Sequence, residues 1–368
     1  MEMNSTIKNH VTLLLLSLFI FGFAVANVLI PDGDISKTER RPLAQLPKIT
    51  SSDIISGKFM NDFEKYTLDQ FPFRDSFRSI KAFSNYYLFR QQDNNGIYLA
   101  DGSAVKMEYP LDTSSIKHAT DRFAYVYRKY MEKKDIRVYF SVIPDKNYFT
   151  APKNGYLHID YDTLIQQMKI DMDFARYIDI FDMLDISDYY KTDTHWRQER
   201  ITDVAEFLAE SMDAKITPDY NEVCVNTPFY GGYYGQTALP MKPDELCYLE
   251  NEQINSCKVY DFETNTYISV YDTAKAGSND PYEMFLSGSK SLLTIENPYA
   301  ESDKELIMFR DSFGSSLAPL LVSGYAKITL VDIRYISPEL LDRFIDFERQ
   351  DVLFLYSASV LNHSITLK

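Results

Sequence analysis

The sequence is poor in the residues that metal and redox chemistry use. Among 368 residues there are three Cys (Cys224, Cys247 and Cys257), five His and one Trp. Neither a CxxC pair nor a His/Cys grouping occurs, so a zinc site has no support, and the sequence calls for no cofactor and no metal. Cys247 and Cys257 could close a short loop, leaving Cys224 odd; three scattered Cys read more simply as free, buried small residues. Basic residues are outnumbered, 38 Lys and Arg against 53 Asp and Glu, for a net charge of −15. A nucleic-acid partner is thereby excluded, because phosphate binding needs clustered Lys and Arg. Internal repeats and low-complexity tracts are absent too. With 45% hydrophobic and 25% charged residues, collagen-like, coiled-coil and wholly disordered chains are excluded. A chain this long buries a substantial core without help from disulfides.

Long hydrophobic runs are equally scarce: there is one. Residues 11–30 carry no charge, and at 1.5 Å per residue they span about 30 Å, the thickness of a bilayer core. The expectation is a single-pass N-terminal anchor in the cell membrane, with an extracytoplasmic remainder. A cleaved signal is the competing reading, since Ala24-Val25-Ala26 fits a small-x-small cleavage site. Charge does not set the orientation, with Lys8 before the run and Lys37, Arg40 and Arg41 after it. Residues 31–50 read as a polar juxtamembrane linker, and 51–368 as the folded domain.

Within that domain, Asp101-Gly102 between two short apolar runs predicts a hairpin. Thr113-Ser114-Ser115 offers an N-cap for a helix to about 134, and Asp162 a cap for a helix over 162–176. Strands are expected over 136–143, 177–181, 304–309, 326–333 and 352–356, and helices over 197–212, 314–325 and from Ser337-Pro338. The β-α-β-α-β order of the last third implies a parallel sheet flanked by helices, an α/β fold. Residues 217–296 are poor in helix signals and read as an inserted lobe of strands and loops.

Two short segments carry the chemistry. His10, His118, His158 and His363 sit in unremarkable surroundings, but His195 lies in Lys191-Thr192-Asp193-Thr194-His195-Trp196. Residues two apart diverge by about 200° on a helix and share a face when extended, so Asp193 can reach His195 only off a helix. An acid there fixes the imidazole tautomer and stabilises the imidazolium. The second segment is Phe309-Arg310-Asp311-Ser312-Phe313-Gly314, a strand end running into a helix. Ser312 there has its own N–H at a helix N-terminus, favourable to an oxyanion, and lies where open α/β sheets bind ligands. Together the segments supply nucleophile, base and orienting acid. A capping Ser and a structural Asp-His pair are the plainer alternatives.

These residues resemble the DHHW family of exported bacterial proteins, which is similar to the alginate O-acetyltransferases with an SGNH-hydrolase-like fold. The likeness rests on Thr192-Asp193-Thr194-His195-Trp196, Arg40-Arg41-Pro42-Leu43, Asp69-Gln70-Phe71-Pro72-Phe73-Arg74, Asn95-Gly96-Ile97-Tyr98-Leu99, Ile143-Pro144-Asp145-Lys146 and Arg310-Asp311-Ser312-Phe313. Thr194 departs from the Asp-His-His-Trp pattern that names the family, while the alginate enzymes carry Asp-x-His-Trp. The resemblance implies an O-acetyltransferase acting on cell-envelope or secreted polysaccharide through an acetyl-enzyme, with Ser312 as nucleophile, His195 as base and Asp193 as its orienter. It also implies a membrane-bound O-acyltransferase as the partner that delivers acetyl. Trp196, Arg310, Tyr230, Gly231 and Tyr233 form the expected substrate-binding set; packing or a turn is the plainer role for each. An acetylesterase with the same residues, and a non-catalytic scaffold or glycan-binding protein, are the alternatives. The topology makes one expectation testable at once: protease added to intact cells should digest the bulk of the chain, and full protection would reverse the orientation.

Overall fold

Alternation of burial along each strand shows how the sheet is built. The computed structural model describes residues 5–368. In the strand Glu305–Arg310, Leu306 and Met308 enter one apolar cluster and Ile307 and Phe309 another. In Asp351–Ser357, Leu353 and Leu355 join the first cluster, and Val352, Phe354 and Tyr356 the second. Successive side chains point to opposite faces of a sheet, so a strand that is apolar at every position must be covered on both.

The chain divides into two compact units. One holds the described residues up to Asn94 together with Gly235–Pro240; the other holds Asn95–Tyr234 and Met241–Lys368. In the first unit a helix, Ser5–Leu29, holds a stretch long and apolar enough to cross a membrane, and the helices Lys58–Asp69 and Arg74–Phe83 follow.

The second unit is the α/β body. Besides the hairpin strands Ile97–Ala100 and Ser103–Lys106, its strands are β1 (Arg137–Ile143), β2 (Arg176–Tyr177), β3 (Asn221–Cys224), β4 (Cys247–Glu250), β5 (Lys258–Asp261), β6 (Thr266–Ile268), β7 (Leu292–Glu296), β8 (Glu305–Arg310), β9 (Lys327–Val331) and β10 (Asp351–Ser357). Eight of them form one sheet in the order β6-β5-β7-β9-β8-β10-β1-β2. The five from β9 to β2 are parallel, as expected. The sheet is nevertheless mixed, because β7, β5 and β6 pair antiparallel. Those three strands come from 217–296: part of the expected lobe extends the sheet, and part forms the β3–β4 hairpin. The fold is of the α/β class expected from the sequence, a sheet with a parallel part flanked by helices.

Helices Thr202–Ser211 and Gly314–Leu321 bury Val204, Leu208, Leu317 and Leu321 against one face. Thr113–Tyr130 and Tyr161–Asp171 bury Ile116, Phe123, Leu164 and Met168 against the other. Each such side chain contributes about 1.5–3 kcal/mol. The caps fall just before the expected ones. Asp112 accepts the N–H groups of Ser114 and Ser115, and Asp160 that of Thr163. A carboxylate reaches the free N–H groups two and three residues ahead of it, so the preceding Asp wins in both places. The Asp101-Gly102 turn joins Ile97–Ala100 to Ser103–Lys106, with φ of 51° and 76° at its two corners. These are left-handed values, which Asp tolerates and Gly adopts freely. The helix Lys146–Asn154, capped by Asp145, has no counterpart among the expectations.

The cysteines also depart from expectation. Cys224 and Cys247 are disulfide-bonded across the β3–β4 pair, with a sequence separation of 23, and Cys257 is the free one. Register decides this: Cys224 and Cys247 are direct antiparallel partners, whereas spacing in sequence offered only a Cys247–Cys257 loop and the simpler reading left all three free. Burial pushes the Cys257 thiol up to about 12, which leaves it inert. Alkylation of the denatured, unreduced chain should therefore modify Cys257 alone. Cys247→Ala should lower stability by about 3 kcal/mol, from the loop-closure entropy of a ring this size. Labelling of all three thiols would remove the disulfide.

Candidate active site

The loop that carries Asp193 and His195 is shaped from below. Tyr189 and Trp196 form an isolated antiparallel bridge, and Tyr190 N–H donates to His195 O at 3.1 Å. Between them the backbone is drawn into a tight turn by Lys146. Its buried ammonium donates to the carbonyls of Tyr190 (2.7 Å), Lys191 (3.1 Å) and Asp193 (3.0 Å). Burial lowers the Lys146 amine to about 7, opposed by the charges of Asp193 and Asp244. Asp244 accepts from the other side, from Lys191 N–H at 2.9 Å, Thr192 N–H at 2.8 Å and the Thr192 hydroxyl at 2.6 Å.

The Asp193 carboxylate is then fully directed. Its Oδ1 accepts from His195 N–H at 3.1 Å and lies 2.6 Å from His195 Nδ1; its Oδ2 accepts from Gly232 N–H at 2.7 Å. His195 Nε2 lies 2.7 Å from Ser312 Oγ. Asp193, His195 and Ser312 therefore form one continuous hydrogen-bonded chain. Asp193 reaches His195 through a turn closed on the His195 N–H, not through an extended strand. The imidazole ring is stacked on Tyr282, with centroids 3.8 Å apart and 8° between planes, and lies 4.9 Å from the Phe313 ring.

The Ser312 turn is held by its neighbour. Asp311 is fully buried; its Oδ1 accepts Phe313 N–H at 3.0 Å, and its Oδ2 accepts the N–H (2.8 Å) and hydroxyl (2.7 Å) of Ser357. Ser357 ends β10, so the ends of two adjacent parallel strands are tied together where Ser312 emerges. The position is the carboxyl edge of the sheet, where α/β folds keep their ligand sites.

The expected substrate-binding set is mostly interior. Trp196 is fully buried, and its indole N–H donates to Phe313 O at 3.2 Å and Ser316 Oγ at 2.9 Å. Arg310 is also fully buried, 3.9 Å from Asp332, with Gly314 packed on its stem. Neither side chain is exposed at the surface. Tyr233 is buried, with its hydroxyl donating to Thr194 Oγ1 at 3.0 Å, and Gly231 is buried as well. At Gly231 a Cβ would fall 2.3 Å from Asp193 Cβ and 2.4 Å from Thr192 O, so only glycine lets the two backbones meet. Tyr230 is the exposed member, its ring 4.6 Å from that of Tyr234.

Sequence reasoning missed Tyr282, Lys146 as an anchor of the loop, and Asp244. Lys146 was visible only as part of Ile143-Pro144-Asp145-Lys146, and nothing local marks the other two. Asp145 caps its helix and accepts from Asn147 N–H, Tyr148 N–H and the Tyr161 hydroxyl. Burial, with the Glu108 charge, raises its carboxyl to about 7. Both ring nitrogens of His195 are engaged. Among the described residues, the one group spaced for a metal is Glu222, Cys224 and Cys247, whose sulfurs form the disulfide.

The comparisons agree with this fold. The family model described as "DHHW protein" matches residues 180–331, a span that includes His195 and Ser312. The resemblance to DHHW proteins read in the sequence therefore stands. A crystal structure of a DHHW family protein from Eubacterium siraeum aligns over 73% of this chain and 93% of its own, at 20% identity and TM-score 0.58. Bacillus cereus PatB1, solved with a sulfonyl adduct, aligns over 72% of this chain and 97% of its own, at 18% identity and TM-score 0.57. At these identities the likeness concerns the fold. No curated protein matches the sequence.

Because the loop geometry hangs on the Gly231 contact, Gly231→Ala should push Asp193 out of place. We expect a stability loss of about 1–3 kcal/mol, the usual cost of overpacking, seen as a lowered thermal midpoint. An unchanged midpoint would show that the backbones do not meet as described.

Proposed function

We propose that this chain is an exported, membrane-anchored O-acetyltransferase for cell-envelope or secreted polysaccharide, working through an acetyl-Ser312 intermediate. The observation that carries this reading is the unbroken chain through His195, 2.6 Å to Asp193 and 2.7 Å to Ser312. With Asp193 accepting from Nδ1–H, Nε2 is left as the acceptor for the Ser312 hydroxyl proton. Ser312 Oγ attacks the acetyl carbonyl as its proton passes to Nε2. The resulting oxyanion faces the Ser312 N–H at the start of the helix Gly314–Leu321. Collapse expels the donor's leaving group, which takes the proton from the imidazolium. In the second half, a sugar hydroxyl gives its proton to Nε2 and attacks the acetyl carbon. An O-acetyl sugar forms and Ser312 is restored.

Acetyl as the group moved, polysaccharide as the acceptor and a membrane-bound O-acyltransferase as the source of acetyl rest on the resemblance to the DHHW and alginate-acetylating proteins. The anchor rests on the helix Ser5–Leu29. An acetylesterase would use the same residues with water as acceptor.

Full-length protein should release the chromophore from an acetyl ester, with Ser312→Ala and His195→Gln each lowering the rate by on the order of 10⁴-fold. A sulfonyl fluoride should add its mass to the peptide containing Ser312. Undiminished hydrolysis by Ser312→Ala would refute the mechanism. Adding acceptor oligosaccharide and weighing the products separates transfer from hydrolysis.

A further inference from the structure

We propose that the segment Phe73–Phe89 is a membrane-surface element, lying along the bilayer interface beside the anchor. The inference rests on the anchor reading above and goes beyond it. The segment comprises the helix Arg74–Phe83 continued by a π-turn, Ser84–Leu88. Phe73, Ile80, Phe83, Tyr87, Leu88 and Phe89 are all exposed; Phe83 is 58%, Leu88 70% and Phe89 66% accessible. Ile80 and Phe83 are three apart on the helix, and the Phe83 and Tyr87 rings lie 4.8 Å apart, which keeps these three on one face. Exposed apolar surface of this extent marks a binding face.

What identifies its occupant is the junction with the first helix. Phe23 stacks on Phe71 at 5.3 Å and meets Phe77 edge-on at 5.5 Å. Phe23 lies six residues before the end of the helix Ser5–Leu29, about 9 Å along its axis. Rings touching the helix at that depth lie inside the acyl layer, within the roughly 5–10 Å to which interfacial helices bury their apolar side. The junction is fixed by polar contacts. Gln70 Nε2 donates to the carbonyls of Gly33 and Ala44 at 2.9 Å, Gly33 N–H donates to Gln70 Oε1 at 2.9 Å, and Asn27 donates to Gln70 O at 3.3 Å. The apolar face therefore runs on from the anchor's own surface at the level where the bilayer ends.

The composition suits the same surroundings. Phe and Tyr populate membrane interfaces as amphipathic belts, and basic side chains favour anionic headgroups. Residues 73–89 hold three basic groups (Arg74, Arg78, Lys81) against one acidic group (Asp75), a net +2 in a chain of −15. Arg74 and Arg78 turn to Glu39, at 2.5 and 3.2 Å, on the side away from the apolar stripe.

The test places single Trp probes in the full chain, reconstituted in vesicles of phosphatidylethanolamine and phosphatidylglycerol with and without a shallow doxyl-labelled lipid. Trp196 is buried in every variant and supplies a constant background. Phe83→Trp and Leu88→Trp should each lose the added emission to the doxyl lipid and show a blue shift. Leu15→Trp, within the anchor, should be quenched by a deep doxyl label, and Tyr267→Trp, on β6, should be quenched by neither. Quenching at Leu15→Trp with none at positions 83 and 88 would overturn the surface element and leave the anchor intact. No quenching at any of the three would overturn the anchor reading as well. Equal quenching at Tyr267→Trp would mean general adsorption and would also overturn the proposal. Shielding of positions 83 and 88 from aqueous acrylamide without doxyl quenching would assign the face to a protein contact instead of lipid.

Discussion

A buried ammonium is the constraint on which the site depends. Lys146 is 2% exposed and satisfies its charge with three carbonyls of one loop. An ammonium in the interior is costly unless it is hydrogen-bonded, so the loop cannot relax without exposing that cost. The three carbonyls belong to Tyr190, Lys191 and Asp193, and converging on one atom they curl the backbone. The curl turns the Asp193 side chain back onto the His195 N–H and ring. Asp244 grips the N–H groups of the same loop from its other side. The loop thus lies between a cation that takes its carbonyls and an anion that takes its N–H groups. This polarity sense fits only one chain direction.

The other half of the site is positioned by the sheet. Parallel strands β8 and β10 end side by side, and the Asp311 carboxylate bridges them through Ser357 and Phe313. Because Asp311 is spent on backbone and Ser357, the neighbouring Ser312 is free to project toward the imidazole. The two-sided core matters here. With apolar clusters on both faces, the strand ends cannot shift without breaking one of them. The antiparallel strands β7, β5 and β6 widen the sheet on the far side of β9 without altering that edge.

Some of this was legible and some was not, for identifiable reasons. The strands at 305–310, 327–331 and 351–357 announce themselves as short apolar runs, and their alternation with helices implies parallel pairing. The Asp101-Gly102 hairpin is written in its turn chemistry. Asp193, His195 and Ser312 could be named as chemical types, but their meeting depends on residues 117 positions apart in sequence, which no local pattern encodes. The antiparallel additions were invisible because a strand's direction is set by its connection, not its composition. Cys224 pairs with Cys247 through register, again a non-local fact. Trp196 and Arg310 misled for a related reason: adjacency to a reactive residue in sequence says nothing about which way the side chain turns.

That last point explains what the lone Trp does. Its indole N–H joins Phe313 O and Ser316 Oγ, so the residue after His195 is bonded to the turn that carries Ser312. Tyr282 closes the same circuit, donating its hydroxyl to Ser316 Oγ at 2.8 Å while its ring lies flat on the imidazole. With Phe313 on another side, the imidazole is walled by two aromatic rings and can move only within its own plane. In that plane it is held at both ends, by Asp193 and by Ser312. Rotation about χ2 that would swing Nε2 away from the hydroxyl must first displace Tyr282, whose hydroxyl is bonded to the helix behind Ser312. The acid, the base and the hydroxyl are thus fixed relative to one another by the aromatic packing as much as by their own hydrogen bonds. Such fixed geometry is what the proposed acyl transfer would draw on.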